Sequence, residues 1–199
     1  MRAVAAHFIT EAEYLEQEAA SPLKHEYFNG RIYAMAGASP THCLINSNVL
    51  IAIGSRLRGR SCRGVGSDQR VKVAATGLFT YPDTLIVCPP ERYDEHDPQS
   101  LLNPHVILEV LSPATERHDR TDKFDQYKQI PSLTDYVLIA QDRVRVEHYQ
   151  RSAADLWMVR SYNQLEHALA LPELDLELPL AEIYDRLDLP SGLLLLPEN

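Results

Sequence analysis

The chain has 199 residues, of which 45% are hydrophobic and 24% are charged. These values are typical of a globular protein that is long enough to bury a substantial core. They exclude a disordered tail, a collagen-like fibre and a coiled coil. We expect one domain over residues 1–199, with a core over about 25–142 and an appended hairpin and helix over about 143–187.

Two further features bear on the location of the protein. No apolar run approaches the roughly 20 residues that a membrane-spanning helix needs. Residues 1–9 are too short and too interrupted for a signal peptide, and Glu11 and Glu13 follow directly. The sequence therefore predicts a cytoplasmic protein without a membrane partner.

The cysteines are odd in number and widely spaced, at Cys43, Cys62 and Cys88. They form no CxxC pair, so the sequence supports neither a disulfide framework nor a zinc knuckle. We expect reduced and mostly buried thiols.

The formal net charge is −9, which argues against a general basic surface for nucleic acid. The charge is uneven, however. One basic cluster, opposed within its own span only by Asp68, consists of Arg56, Arg58, Arg60, Arg63, Arg70 and Lys72. A second consists of Arg117, His118, Arg120 and Lys123. Each cluster is either a local phosphate-binding face or an ordinary solvated surface.

In the N-terminal part, local signals predict a helix followed by a hairpin. A capping box of Thr10 with Glu13 begins a short helix that ends near Ala20. The turn signal Asn29-Gly30 then predicts a hairpin over residues 25–35.

A longer helix is predicted from the N-cap Ser39 to about Arg58. Apolar residues recur there at helical spacing, namely Leu44, Ile45, Val49, Ala52, Ile53 and Leu57. Strand-like segments follow over residues 61–74 and 83–88. Residues 89–104 are polar and contain proline, which predicts an excursion from the core.

The remaining pattern completes an α/β fold with a mixed sheet. Residues 105–111 are apolar on both faces, which predicts a central strand covered on both sides. A helix over about 121–130, with Phe124 and Tyr127 in the core, leads to a buried strand over 136–140. An antiparallel hairpin over 143–162 and a short helix over about 178–187 follow. The hairpin offers an edge for self-pairing, which favours a homodimer.

Glu109 interrupts the predicted central strand, where an unpaired carboxylate would cost several kcal/mol. It therefore needs a basic side chain, a hydrogen-bond network or a metal ion as its partner. Asp83 begins the preceding strand, so the two acids could converge on an oxygen-rich site for Mg²⁺ or Mn²⁺. The alternatives are a structural salt bridge for Glu109 and a turn cap for Asp83.

Three segments closely resemble the Uma2-like family, formerly DUF820: Tyr81-Pro82-Asp83, Glu109 to Thr115, and Asp119 to Lys123. The pattern from His25 to Gly37, with His42, is similar to that family too, and the resemblance runs from about residue 10 to 187. The family is placed in the PD-(D/E)XK superfamily. The resemblance implies a restriction-endonuclease-like α-β-β-β-α-β core with a mixed sheet, plus an N-terminal helix and hairpin and a C-terminal antiparallel hairpin.

The resemblance also implies roles for individual residues. It implies that the two metal-ligating catalytic acids are Asp83 and Glu109. It also implies that the Val110 backbone carbonyl is a further ligand and that Glu26 is an accessory catalytic acid. The superfamily lysine belongs two residues after the second acid, where this chain has Leu111. The resemblance implies that the catalytic role of this lysine passes to Lys123 in the following helix. The alternatives for Lys123 are a helix-surface lysine and a salt-bridge partner of Glu109.

We thus expect a nuclease that depends on Mg²⁺ or Mn²⁺ and acts on DNA. The residues expected to contact nucleic acid are Arg56, Arg58, Arg60, Arg63 and Arg120. One alternative, favoured by Leu111 and by the net charge, is a non-catalytic module of the same fold that binds nucleic acid or protein. Another is a structural dimer in which Glu109 and Lys123 form only a buried salt bridge. For His42, a packing or capping role is favoured over a place in the site.

Overall fold

The computed structural model describes residues 8–35, 37–113 and 115–189. In chain order its elements are α1 (Glu11–Ala20), β1 (His25–Phe28), β2 (Arg31–Ala34), α2 (Pro40–Leu57), β3 (Arg63–Gly66), β4 (Arg70–Val73), β5 (Leu78–Thr80), β6 (Thr84–Val87), β7 (Ser100–Leu101), β8 (Pro104–Leu111), α3 (Glu116–His118), a π-helical turn (Asp119–Lys123), α4 (Phe124–Tyr127), β9 (Asp135–Ala140), β10 (Val146–Arg151), β11 (Trp157–Tyr162), β12 (Ala168–Leu171), a 3₁₀ turn (Pro172–Leu174), β13 (Leu176–Pro179) and α5 (Leu180–Ile183). Most of the segment tested for a signal peptide, residues 1–7, lies outside the described ranges, as do Ala36 and Ala114 of the family pattern.

The larger sheet has six strands in the order β11-β10-β9-β8-β6-β3. Strands β8 and β9 run parallel, whereas the other neighbours in this sheet are antiparallel. The predicted α-β-β-β-α-β order is found as α2, β3, β6, β8, the helical segment from α3 to α4, and β9. The α/β class, the mixed sheet and the C-terminal antiparallel hairpin β10–β11 are therefore confirmed.

A second sheet contains short strands that precede or separate the strands of the larger sheet in the sequence. Its strands are ordered β2-β1-β5-β4-β7. The chain passes from this sheet to the larger one through Tyr81-Pro82-Asp83, which joins β5 to β6. The second sheet, which contains the N-terminal hairpin, is thus connected to the central strands of the larger sheet close to Asp83.

The local signals in the sequence have the expected structural effects. Thr10 and Glu13 form a complete capping box at α1. Asn29 and Gly30 both have positive φ, 47° and 75°, as the tight turn between β1 and β2 requires. The Ser39 side chain caps α2 by accepting a hydrogen bond from a backbone N–H of its first turn.

The two faces of β8 pack in different hydrophobic layers. Val106, Leu108 and Val110 share a cluster with the buried face of α2. Ile107 and Leu111 pack on the opposite side, in the cluster that contains Tyr127 and Tyr136. The prediction of a central strand covered on both sides is confirmed. Neither α2 nor any other described helix is long and apolar enough to cross a membrane.

Several predicted boundaries are wrong because short strands give little alternation to detect. The segment over residues 61–74 forms two strands in different sheets, β3 and β4, and the excursion over 89–104 contains β7. Strands β5, β12 and β13 were not predicted. The helix expected over 121–130 begins earlier, at Glu116, and includes the π-helical turn. The helix expected over 178–187 is reduced to the single turn α5.

The prediction of reduced, mostly buried thiols is wrong. Cys62 and Cys88 form a disulfide, and Cys43 is exposed. The pairing follows from the antiparallel register of β3 and β6, in which Arg63 lies opposite Val87. One step further along this register, the two cysteines face each other. Their sequence separation of 26 hides this proximity.

Candidate active site

The larger sheet holds Asp83 and Glu109 side by side. Strands β6 and β8 are antiparallel with Thr84 opposite Leu108, and the next step of this register brings Asp83 opposite Glu109. The Asp83 backbone N–H donates to Glu109 Oε2 at 3.2 Å, and the Val110 N–H donates to Asp83 Oδ2 at 2.8 Å. Backbone groups thus fix both carboxylates at the start of β6, as expected from two neighbouring strands.

Lys123 reaches this pair from the π-helical turn. Its Nζ lies 2.9 Å from Glu109 Oε1, 3.3 Å from Glu26 Oε1 and 3.8 Å from Asp119 Oδ1. The Tyr127 hydroxyl also donates to Glu109 Oε1, at 2.9 Å. With a side chain only 9% exposed, Lys123 is not a helix-surface lysine. It does pair with Glu109, and this pairing is compatible with a structural role and with a catalytic one.

Glu26 joins the site from the second sheet. Strands β1 and β5 pair with Tyr27 opposite Phe79, so the next step of the register brings Glu26 opposite Thr80. The Thr80 hydroxyl donates to Glu26 Oε1 at 2.5 Å. The site therefore lies where the two sheets and the helical segment meet. Thr80 was missed because β5 is too short to predict from sequence.

His42 belongs to the site, contrary to the packing or capping role favoured from sequence. It lies in the first turn of α2, and its ring Nε2–H donates to Asp83 Oδ1 at 2.9 Å. Burial alone would lower the pKa of His42, but the hydrogen bond and the negative charge of Asp83 outweigh burial and raise the pKa. The signal in the sequence that pointed to His42 as a site residue was its position in the first turn of the helix that Ser39 caps.

Negative charge exceeds positive charge around the site. Oxygens of three carboxyl groups, those of Glu109, Glu26 and Asp119, lie 2.9, 3.3 and 3.8 Å from Lys123 Nζ, and Asp83 lies beside Glu109. Burial raises the pKa of Glu109 to about 8, and the nearby carboxylates add to this rise although Lys123 opposes it. Burial also favours the neutral form of Glu26, but the Lys123 charge and the hydrogen bonds from Thr80 and Lys123 together outweigh burial and lower the pKa of Glu26. An additional cation would therefore be stabilised here.

The donor set suits a hard divalent cation that keeps much of its water. The described residues contain no cluster of three or more His, Cys, Asp or Glu side chains arranged to hold a metal ion. Mg²⁺ is commonly bound by one or two carboxylates plus water, whereas structural zinc sites need closed sets of cysteine and histidine. Asp83, at 19% side-chain exposure, is accessible from solvent. The pair Asp83 and Glu109 fits Mg²⁺ or Mn²⁺, and Val110 lies directly beside it.

The structure does not bring the arginines expected to contact nucleic acid into this site. Arg56 lies 14 residues beyond His42 on α2, about 20 Å along the helix axis. Most of these arginines bind groups of this chain: Arg56 pairs with Glu182, Arg60 donates to the carbonyls of Leu174 and Asp175, Arg63 pairs with Glu91, and Arg120 pairs with Glu116 and Glu147. Arg58 is exposed. A role for the five arginines in nucleic-acid binding stays a prediction.

The contact between His42 and Asp83 leads to a testable prediction. His42→Ala removes the donor to Asp83 Oδ1 and frees this carboxylate to rotate, so divalent-metal affinity should fall about tenfold. Calorimetric titration with Mn²⁺ measures this change. Ser47→Ala, on the same helix, is the control and should bind as the wild type does. Equal affinity in His42→Ala and the wild type would contradict a positioning role for His42.

Comparison with known proteins agrees with this architecture. Two Synechocystis proteins are similar in sequence. "Uncharacterized protein slr1290" is 34% identical over 172 residues, which cover 86% of this chain and 89% of that protein. "Uncharacterized protein sll1609" is 32% identical over 151 residues, which cover 76% of this chain and 85% of that protein. A crystal structure of "a putative nuclease belonging to DUF820" from Anabaena variabilis shares the fold, with a TM-score of 0.71 and 19% identity over 88% of this chain and 97% of that one. Residues 11–181 match the Uma2 family, described as "Putative restriction endonuclease". The chain belongs to the Uma2 family.

Proposed function

We propose that the protein is a metal-dependent nuclease that hydrolyses phosphodiester bonds in DNA. The observation that carries this proposal is the arrangement of two acids and a lysine from three elements. Backbone N–H groups hold the Asp83 and Glu109 carboxylates together, and Lys123 contacts the other oxygen of Glu109. Membership of the Uma2 family, which is described as "Putative restriction endonuclease", supports the same function.

In this proposal Asp83 and Glu109 hold one Mg²⁺ or Mn²⁺, and the Val110 carbonyl is a further ligand. The chemistry that such an ion supplies when bound is acidification of water and neutralisation of negative charge. The excess of carboxylates around Lys123 supports this assignment, because a divalent cation would offset their mutual repulsion.

The chain's own residues then position the reacting groups. In phosphodiester hydrolysis, water attacks phosphorus and loses a proton to solvent, the bond from phosphorus to the leaving oxygen breaks, and the leaving oxygen takes up a proton from solvent. The Lys123 ammonium orients the attacking water and opposes the charge that grows on the phosphoryl oxygens. Glu26 and Asp119 keep Lys123 protonated and in place, while His42 and Tyr127 orient the two acids.

A non-catalytic nuclease-fold module that binds nucleic acid or protein is the second candidate. Leu111 favours it, because this buried side chain stands where the superfamily has its lysine. Under this alternative, Lys123 serves only as the counter-ion of Glu109.

Metal-dependent nicking of supercoiled plasmid distinguishes the two candidates. We expect the wild type to nick in Mg²⁺ or Mn²⁺ but not in a chelator. Glu109→Gln should reduce the nicking rate by about 10² or more, because an amide binds a cation weakly. Glu173→Gln, an exposed isosteric change, is the control and should nick normally. A folded wild type that binds metal and cuts no nucleic acid would favour the binding module.

The homodimer predicted from sequence also belongs to this proposal. Strand β11 lies at the edge of the larger sheet and exposes Met158 and Val159. Antiparallel pairing of two β11 strands would continue the sheet across a two-fold axis.

A further inference from the structure

A cleft of ≈ 620 Å³ opens beside the candidate active site. It lies between the β1–β2 hairpin and the helical segment, and both Lys123 and Glu26 belong to its lining. Glu109 does not line the cleft, but it contacts Lys123, which does, so a single side chain separates the cleft from the paired acids. A group bound in the cleft would therefore be a close neighbour of the bond that is cut.

The hairpin side of the cleft is apolar and aromatic. Phe28, Tyr33 and Leu78 line it, and Tyr33 is 47% exposed. An exposed tyrosine on a strand next to a cleft offers a flat surface on which a planar ring can stack. Base–aromatic stacking of this kind is the main mode of single-strand binding, and it tolerates any sequence because every base has a π-face.

The charges of the lining disfavour a phosphate in the same cleft. Asp122, Asp125 and Glu26 belong to the lining; Lys123 already pairs with carboxylates, His118 lies beside Asp122, and Lys128 offsets only Asp125. A phosphodiester would meet net negative charge here, whereas an uncharged heterocyclic ring would not. The cleft is therefore suited to the base of a nucleotide and not to its backbone.

Gln126 adds a polar group with unmet hydrogen-bonding capacity. It lines the helical side, and its Oε1 is buried without a hydrogen-bond partner among the described residues. Every base carries an N–H donor on its Watson–Crick edge, and this donor is free only when the base is unpaired. An unpaired base stacked on Tyr33 could donate to this oxygen after a side-chain rotation.

We propose that this cleft binds an unpaired nucleobase next to the scissile phosphate, so that the substrate is a single-stranded or locally unpaired nucleic acid. This inference deepens the proposed function and rests on it. Tyr33 supplies the stacking surface, and Gln126 supplies a hydrogen-bond acceptor for the base edge.

Binding measured without cleavage tests the cleft separately from the chemistry. Fluorescence anisotropy in Ca²⁺ compares a short single-stranded DNA, the same sequence as a duplex, and a free mononucleotide as competitor. We expect single-stranded DNA to bind more tightly than duplex, and Tyr33→Ala to weaken single-strand binding about tenfold. Tyr33→Phe keeps the ring and should restore affinity. Leu156→Ala, which also truncates an exposed apolar side chain, is the control and should have no effect.

Three results would overturn the inference: equal single-strand affinity in Tyr33→Ala and the wild type, a duplex preference that Tyr33→Ala leaves unchanged, or competition by the mononucleotide at the affinity of the whole strand. The last result would mean that the cleft binds free nucleotides. Tyr33-dependent binding by a protein that never nicks would support the cleft while contradicting the proposed nuclease activity.

Discussion

Lys123→Met should lose nearly all nicking activity and should lower the free energy of unfolding by about 3–5 kcal/mol. The lysine ammonium faces Glu109, Glu26 and Asp119, and its side chain is almost fully buried. Removing it leaves buried carboxylates without their shared counter-ion. Chemical denaturation measures the stability, and plasmid nicking measures the activity. Metal binding should persist, because lysine is not a ligand.

Two companion variants separate electrostatic stability from catalysis. Adding Glu109→Gln to Lys123→Met removes one of the unpaired carboxylates and should recover part of the stability but no activity. Adding Leu111→Lys to Lys123→Met, without the Glu109 change, should recover part of the activity, because residue 111 lies on the same face of β8 as Glu109. If Lys123→Met folds and nicks as fast as the wild type, the catalytic assignment of Lys123 is wrong.

Asp83→Asn should abolish the stabilisation that divalent metal gives to the wild type. At a metal concentration about a hundred times the dissociation constant, binding to the native state adds about 2.7 kcal/mol to the free energy of unfolding. The asparagine oxygen can still accept the hydrogen bond from the Val110 N–H, so we expect the fold to remain intact. The variant loses the charge that attracts the ion. Thermal unfolding with and without Mn²⁺ measures the difference.

Asp68→Asn is the matched control for this experiment. Asp68 is almost fully exposed and pairs with Lys24, which is not one of the residues of the site. Its variant should keep the whole metal-induced rise in melting temperature. An equal rise in Asp83→Asn and Asp68→Asn would place the metal elsewhere on the protein.

Local signals predicted much of the framework, because each depends on residues that are close in sequence. The capping box of Thr10 and the turn at Asn29-Gly30 are complete within a few residues. Asp83 and Glu109 were also predictable as a pair, since Asp83 directly precedes one core strand, Glu109 lies on another, and these strands are neighbours in the sheet. The family resemblance added the position of Lys123, which composition and periodicity do not indicate.

Features that depend on contacts between distant segments were not predictable. Arg56 belongs to a sequence cluster that looks basic, but Glu182 neutralises it from 126 residues away. Cys62 meets Cys88 only through strand register. His42 meets Asp83 because α2 packs on the sheet at one particular place. Each case needs the tertiary arrangement, which no local pattern encodes.

Anomalous diffraction from a crystal soaked in Mn²⁺ locates the ion directly relative to Asp83 and Glu109. We expect a Mn²⁺ peak at bonding distance from carboxylate oxygens of both Asp83 and Glu109, with Lys123 still next to Glu109. A crystal that binds Mn²⁺ elsewhere while this pair of acids remains free of the ion would contradict this expectation.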